Sequence, residues 1–264
     1  MTDDIGHILD TWPYDPEDDL TARIIEGEHG KKLQMRIDMG IIQMNLDGTP
    51  SGEHPDGFES WFEFYEKEQE IADADAIDDF FTLDDEAFAT IRREAVQYYY
   101  RYLSLMKLGD YPRVIRDTER NFRLFAFVKK YVPSEINRWT LDQYRPYVIM
   151  MNSRARAALA LKTSITADTD EAGENEAGMN QALGHIDEGI RKIEAFYMEY
   201  DLISEMDSSV ELAVLRTIRH GFIEESGADN QLSLEEQLRE AVENERFEDA
   251  ALLRDKIRMR DHRK

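Results

Sequence analysis

From Phe58 onward, this chain shows no good strand pattern. Apolar residues instead return every three or four positions almost to the C-terminus. That contrast restricts what the chain can fold into. Strand-type alternation, with its two-residue period, is confined to residues 20–48, and everything after it reads as helix. Leu20-Thr-Ala-Arg-Ile-Ile-Glu is a strand candidate, and Gly27-Glu-His-Gly30 is a turn. In the next segment Leu33, Met35 and Ile37 alternate with polar neighbours, as in a half-buried strand. A third segment runs from Gly40 through Ile41 and Ile42 to an Asp47-Gly48 turn. Three short strands are marginal alone. They are expected to form an antiparallel meander that leans on the helices, followed by a loop over 49–57. Upstream, Trp12-Pro-Tyr-Asp-Pro is expected to dock as a strip against the sheet or the helices.

The helical part divides into pairs. Phe58, Trp61, Phe62 and Tyr65 make one aromatic face. Residues 66–86 then hold ten acids and a single Lys, a run that reads as a solvated connection or helix surface. It lacks the glycine and the fixed ligand spacing of a calcium loop. Residues 86–131 form a helix pair, turned at Leu108-Gly-Asp-Tyr-Pro, with Pro112 placed in the first turn of the second helix. A long helix over Leu141–Lys162 carries Tyr144, Tyr147, Val148, Met151 and Ala155 on one face. Its Pro146 either kinks it or marks its start. After an acidic stretch beginning at Thr166, apolar residues from Met179 to Phe196 mark another helix, and Glu211–Glu225 one more. The chain thus divides into a meander and loop (1–57), a helical body (58–225), and a linker with a C-terminal hairpin (226–264).

The C-terminal hairpin is read from two short amphipathic segments. Leu234, Leu238, Ala241 and Val242 share one face; Phe247, Ala250, Ala251, Leu253 and Ile257 share another. Asn244-Glu245-Arg246 leaves room only for a tight antiparallel turn between them, and the small Ala250 and Ala251 allow close approach. So small a unit cannot bury its whole apolar face alone. It therefore needs a partner.

This stretch resembles the UVR motif, the helical hairpin of the excision-repair proteins UvrB and UvrC that also occurs in the protease-associated proteins ClpC and McsA. Leu234, Leu238, Ala241, Asn244, Phe247-Glu248-x-Ala250-Ala251, Leu253-Arg254-Asp255 and Ile257 carry the match. Glu245 departs from it, since the repair proteins usually have an apolar residue there. The resemblance implies antiparallel pairing with another UVR hairpin, a homodimer being one form of that. The motif is shared by proteins with unrelated jobs, so repair itself is not implied. McsA-type proteins pair the motif with Cys-x-x-Cys zinc modules, and this chain has no cysteine. In the body, Leu108-Gly-Asp-Tyr-x-x-Val-Ile followed by Thr118 is similar to the turn of a tetratricopeptide repeat, although Tyr102 stands where a small residue is expected. The expected fold class is therefore mainly α: a helical-hairpin, tetratricopeptide-like body with a small N-terminal meander and a C-terminal UVR hairpin.

Composition narrows the function classes. Across 264 residues the formal net charge is −24. Duplex DNA binding is therefore not expected, because phosphate contact needs clustered Lys and Arg. Anionic membrane surfaces are disfavoured for the same reason. From Leu234 to Lys264 the balance is nearly neutral, with eight Lys/Arg against nine Asp/Glu. The absence of cysteine excludes disulfides, thiolate zinc sites and cysteine nucleophiles. Met1-Thr-Asp-Asp-Ile is acidic where a signal peptide is basic, and no apolar run approaches the roughly 18 residues of a membrane span, so a cytoplasmic location is expected.

No catalytic pattern emerges. His7, His29, His54, His185, His220 and His262 fall in no metal-ligand spacing. Phosphate-binding glycine loops and a nucleophile elbow are missing in recognisable form. Tyr98-Tyr99-Tyr100-Arg101-Tyr102 invites a base-stacking reading, but helical spacing in an acidic chain favours core with Arg packing. Arg113, Arg116, Arg120 and Arg123 form a stripe that suits an acidic peptide or a phosphate, or pairs with the chain's own acids, the latter being preferred. The expectation is a non-enzymatic adaptor with no cofactor or metal. Its protein contacts are assigned to Leu234, Leu238, Val242, Phe247, Ala250, Ala251, Arg254 and Ile257. The alternative is a regulatory subunit of a Clp-type quality-control or nucleotide excision repair machine.

Overall fold

A computed structural model describes residues 4–18, 20–74, 81–166 and 172–225, together with Arg254. A short helix α1 (Gly6–Thr11) precedes strands β1 (Thr21–Gly27), β2 (Gly30–Ile37) and β3 (Gly40–Asn45). Seven helices follow: α2 (Trp61–Ala74), α3 (Asp85–Lys107), α4 (Tyr111–Tyr131), α5 (Glu135–Asp142), α6 (Arg145–Thr166), α7 (Ala172–Glu199) and α8 (Val210–Glu225). The protein is mainly helical with one small antiparallel sheet, as the periodicities require, and among the described residues no strand follows Asn45.

The sheet is a meander of order β1-β2-β3, with Leu33 opposite both Ile24 and Met44. Glu28 and His29 turn the first hairpin, and Gly30 supplies the positive φ of 99° that the tight connection demands. Leu33, Met35 and Met44 are buried on the helix-facing side. The expectation of a half-buried β2 is corrected on the other face, where Gln34 and Arg36 are buried as well. The N-terminal strip covers them. Arg36 donates from Nε to the Trp12 carbonyl at 2.9 Å, and the Arg23 guanidinium lies 4.0 Å over the Trp12 ring. Gln34 accepts from Arg23 and donates to Gln43, each at 2.8 Å, so its burial leaves neither end of the amide wanting. The docking role read for Trp12 is thus realised on the sheet.

Local signals place the helix ends. Asp84, Asp110 and Ser134 cap α3, α4 and α5, each side chain accepting a backbone N–H of the first turn. Gly109, at φ 72°, reverses the chain between α3 and α4. Pro146 is the second residue of α6 and marks its start; the kink it also allowed does not arise. Helices α3 and α4 pair, α6 packs on α4 and pairs with α7, and α8 closes the row against α7 and α6. Buried Ile91, Leu105, Val114, Leu124, Met151, Ile186, Ile193 and Leu212 run through that row as one continuous core, which also takes in Leu33 from the sheet and Phe62 from α2. At Gly189 the helices approach so closely that a Cβ would overlap Ser153 and sit 3.0 Å from Leu215 Cδ1.

Candidate functional site

The Tyr98–Tyr102 run divides between two environments because α3 has different neighbours on its two sides. Tyr98, Arg101 and Tyr102 turn inward and are buried. Arg101 forms a two-bonded pair with Asp117 of α4, Nε to Oδ2 at 2.7 Å and Nη2 to Oδ1 at 2.8 Å, with both side chains at most 1% exposed. Its remaining donor reaches the loop after β3, meeting the Gly48 carbonyl at 2.6 Å and that of Asn45 at 3.2 Å. The Tyr98 ring lies between two guanidinium groups, 4.7 Å from Arg101 and 4.2 Å from Arg120. Burial pushes the Tyr98 hydroxyl up to about 12. Core packing with arginine, the preferred reading, describes this half of the run.

The arginine stripe of α4 pairs with the chain's own acids along its whole length. Arg113 and Arg116 both hold Asp47 at 2.8 Å, and Arg113 also holds Asp110. Their hydrogen bonds, Arg113 foremost, lower the Asp47 carboxyl to about 2. Arg120 meets Glu94 of α3, whose carboxylate also accepts the backbone N–H groups of Trp61 and Phe62 at the start of α2. Burial lowers the Arg120 pKa to about 9, which leaves it cationic at neutral pH. Arg123 bridges to Glu66 of α2 at 2.6 Å. The stripe is therefore a clamp that ties the post-β3 loop, α2 and α3 to α4, and its charges are already answered.

The other half of the run opens to solvent. Tyr99 and Tyr100 face a cavity of about 780 Å³ bounded by α3, α4, the α5–α6 corner and α8. Tyr144 and Tyr147 of the corner line it from the opposite side, the Tyr99 and Tyr147 rings standing 5.9 Å apart. The sequence reading placed Tyr144 and Tyr147 on the apolar face of a helix. Tyr144 precedes α6 and is 59% exposed, so it forms rim and not core. Burial raises the Tyr147 hydroxyl to about 12. Arg92 and Glu211 also line the groove. This aromatic concavity was missed as a site. Its signal is a set of tyrosines on segments that only tertiary packing brings together.

His185 of α7 has a pKa lowered by partial burial and by Arg156. Among the described residues, no group of three or more His, Asp or Glu is arranged to hold a metal ion, and no helix is long and apolar enough to cross a membrane. The residues assigned to protein contact, Leu234, Leu238, Val242, Phe247, Ala250, Ala251 and Ile257, lie outside the described residues; Arg254 is helical and exposed.

Comparison with protein families finds one match: the UvrB/uvrC motif (UVR) at residues 231–259. It covers the same stretch on which the resemblance was read. Searches of curated proteins and of solved structures found no match.

Proposed function

We propose that this chain is a non-enzymatic protein–protein interaction protein, an adaptor, whose C-terminal hairpin binds a protein partner or a second copy of itself through its apolar face. The observation that carries this reading is the UVR match at 231–259. It coincides with a segment whose two apolar faces, Leu234/Leu238/Val242 and Phe247/Ala250/Ala251/Ile257, exceed what a lone hairpin can cover.

Phe247 is assigned as the anchor. Truncating a buried Phe to Ala costs about 3–5 kcal/mol, enough to abolish pairing by so small a unit. Sedimentation velocity and affinity capture on the full chain, Phe247→Ala and a chain ending at Gly227 test the proposal. The full chain is expected to self-associate or retain a defined partner, and both variants to lose it while residues 1–225 stay folded. Identical assembly and identical captured partners in all three would remove the role given to the motif.

A further inference from the structure

We infer that the outer face of α8 is the resting dock of the chain's own C-terminal hairpin, residues 233–258, which lies against the helical body until a partner takes it. The inference goes beyond the adaptor reading and shares with it only the surplus apolar surface of that hairpin. The first argument is the pattern of α8. Leu212, Leu215 and Ile223 are buried. Arg216 and Arg219 pair with Glu194 and Asp187 of α7, at 3.0 and 2.7 Å. The side turned away from Leu212 and Leu215 ordinarily carries charge in a surface helix. Here it carries Val210, Ala213, Val214, Thr217, Ile218 and Gly221, recurring every three or four positions as in a helix–helix seam. Val210 is 70% exposed, Ala213 and Thr217 are exposed, and Val214 and Ile218 are half-buried. All of these but Gly221 line a groove of about 500 Å³, together with Arg154 of α6 and Asp207 ahead of α8, whose charges balance. Thr217 donates its hydroxyl to the Ala213 carbonyl at 2.9 Å, so it turns no unmet polar group outward. Around the place of a Gly221 Cβ, no atom of the described residues lies within 4 Å. A helix apolar on both sides is a helix covered on both sides.

Connectivity selects the occupant. Helix α3 packs on α4, α6 on α7 and α7 on α8. Consecutive helices joined by short links lie side by side. Helix α8 ends at Glu225 and the family match begins at Gln231. The five residues between them span about 17 Å at most, enough to reverse the chain and too few to carry the next helix far from α8. Running back antiparallel, the face of Leu234, Leu238 and Val242 covers about 12 Å, and the stripe from Val210 to Gly221 offers about 17 Å. The tether also holds the hairpin at a roughly millimolar effective concentration, an advantage that a free helix of equal fit lacks. Charge permits the contact. Residues 234–264 carry eight Lys/Arg against nine Asp/Glu, so this segment is nearly neutral in a chain of net charge −24 and meets little repulsion from the acidic body.

The chain has no cysteine, so engineered pairs report without background. In dilute full-length protein, Thr217→Cys is combined in turn with Leu234→Cys, Leu238→Cys and Val242→Cys and mildly oxidised, and intact mass separates bonds within a chain from bonds between chains. At least one pair is expected to close within the chain, at a rate independent of protein concentration. That rate is expected to exceed that of Met39→Cys with Leu238→Cys by about tenfold or more, since a disulfide needs Cα atoms within about 7 Å. Met39, at the β2–β3 turn, is 89% exposed and serves as the accessible control. Hydrogen exchange gives a second reading that needs no disulfide. Ala213→Glu with Thr217→Glu, both at exposed positions, is expected to speed exchange over residues 233–257 by about tenfold or more while α6 and α7 stay protected. Thr217 pairs no faster than the Met39 control, disulfides only at dimer mass, or hairpin exchange unchanged by the two glutamates would each overturn the proposal. Dimer mass alone would give the stripe to a second copy. The adaptor reading is tested separately by loss of assembly in Phe247→Ala, so either idea can fail while the other stands.

Discussion

Replacing Asp117 with Ala should destabilise the protein more than any other single change to the polar clamp. The carboxylate is fully buried and takes two bonds from the equally buried Arg101. Removing it strands a guanidinium in the core, and breaking such a pair from one side costs about 3–5 kcal/mol. Arg101 keeps its two loop carbonyls and the Tyr98 ring, which places the loss near the lower end of that range. Arg101→Met acts from the opposite side and should cost less, because Asp117 retains Arg116 Nε at 2.9 Å. It also leaves the half-buried carbonyls of Asn45 and Gly48 to water, which should loosen the sheet from α3. Against a typical total of about 5–15 kcal/mol, either variant remains folded but shifts its midpoint visibly. Guanidinium unfolding, followed by tryptophan fluorescence, measures both variants and the Arg101→Met/Asp117→Ala double replacement. The double variant should cost less than the sum of the singles, because an apolar pair strands no charge. A loss below about 1 kcal/mol for Asp117→Ala, or strict additivity in the double, would refute the assignment of this pair as a coupled buried clamp.

Other expected outcomes follow from the same geometry. Gly189→Ala should destabilise by about 1–3 kcal/mol through overlap with Ser153 and Leu215, despite the roughly 1 kcal/mol that Ala gains in helix propensity; thermal melts of the variant check this. Asp47 has its pKa depressed in the fold to about 2, so its contribution is present above the unfolded carboxyl value near 4 and is lost as pH falls from there toward 2. Because its side chain is 60% exposed, solvent screening holds that contribution to about 1 kcal/mol or less; the difference between wild type and Asp47→Asn should vanish at the acid end of a pH series of unfolding curves. Duplex DNA should not be bound with sub-micromolar affinity even at low salt, given the −24 charge, and gel-shift titration measures this.

Period alone separated the sheet from the helices, since alternation and 3.6-residue recurrence are properties of consecutive residues. Glycine signals located the turns at Gly30 and Gly109 for the same reason, whereas Pro146 left a kink or a helix start open, and the single helix read over Leu141–Lys162 is broken between Asp142 and Arg145. The C-terminal motif was legible because its residues are contiguous, and the family match fell on the same stretch. Tertiary packing decided the rest. A one-dimensional pattern shows that Arg113, Arg116, Arg120 and Arg123 share a face of α4. Only the fold shows that Asp47, Glu94 and Glu66 from three other elements meet them. The burial of Gln34 and Arg36 depended on Trp12 crossing the outer face of the sheet. The groove was illegible for a related reason. Its tyrosines come from α3 and the α5–α6 corner, and helical spacing marks such residues as apolar without saying whether another helix covers them. Coverage is set by long-range packing. The α3–α4–α6 arrangement leaves Tyr99, Tyr144 and Tyr147 facing an open concavity, while Tyr98 and Tyr102, on the same helix as Tyr99, are closed into the core.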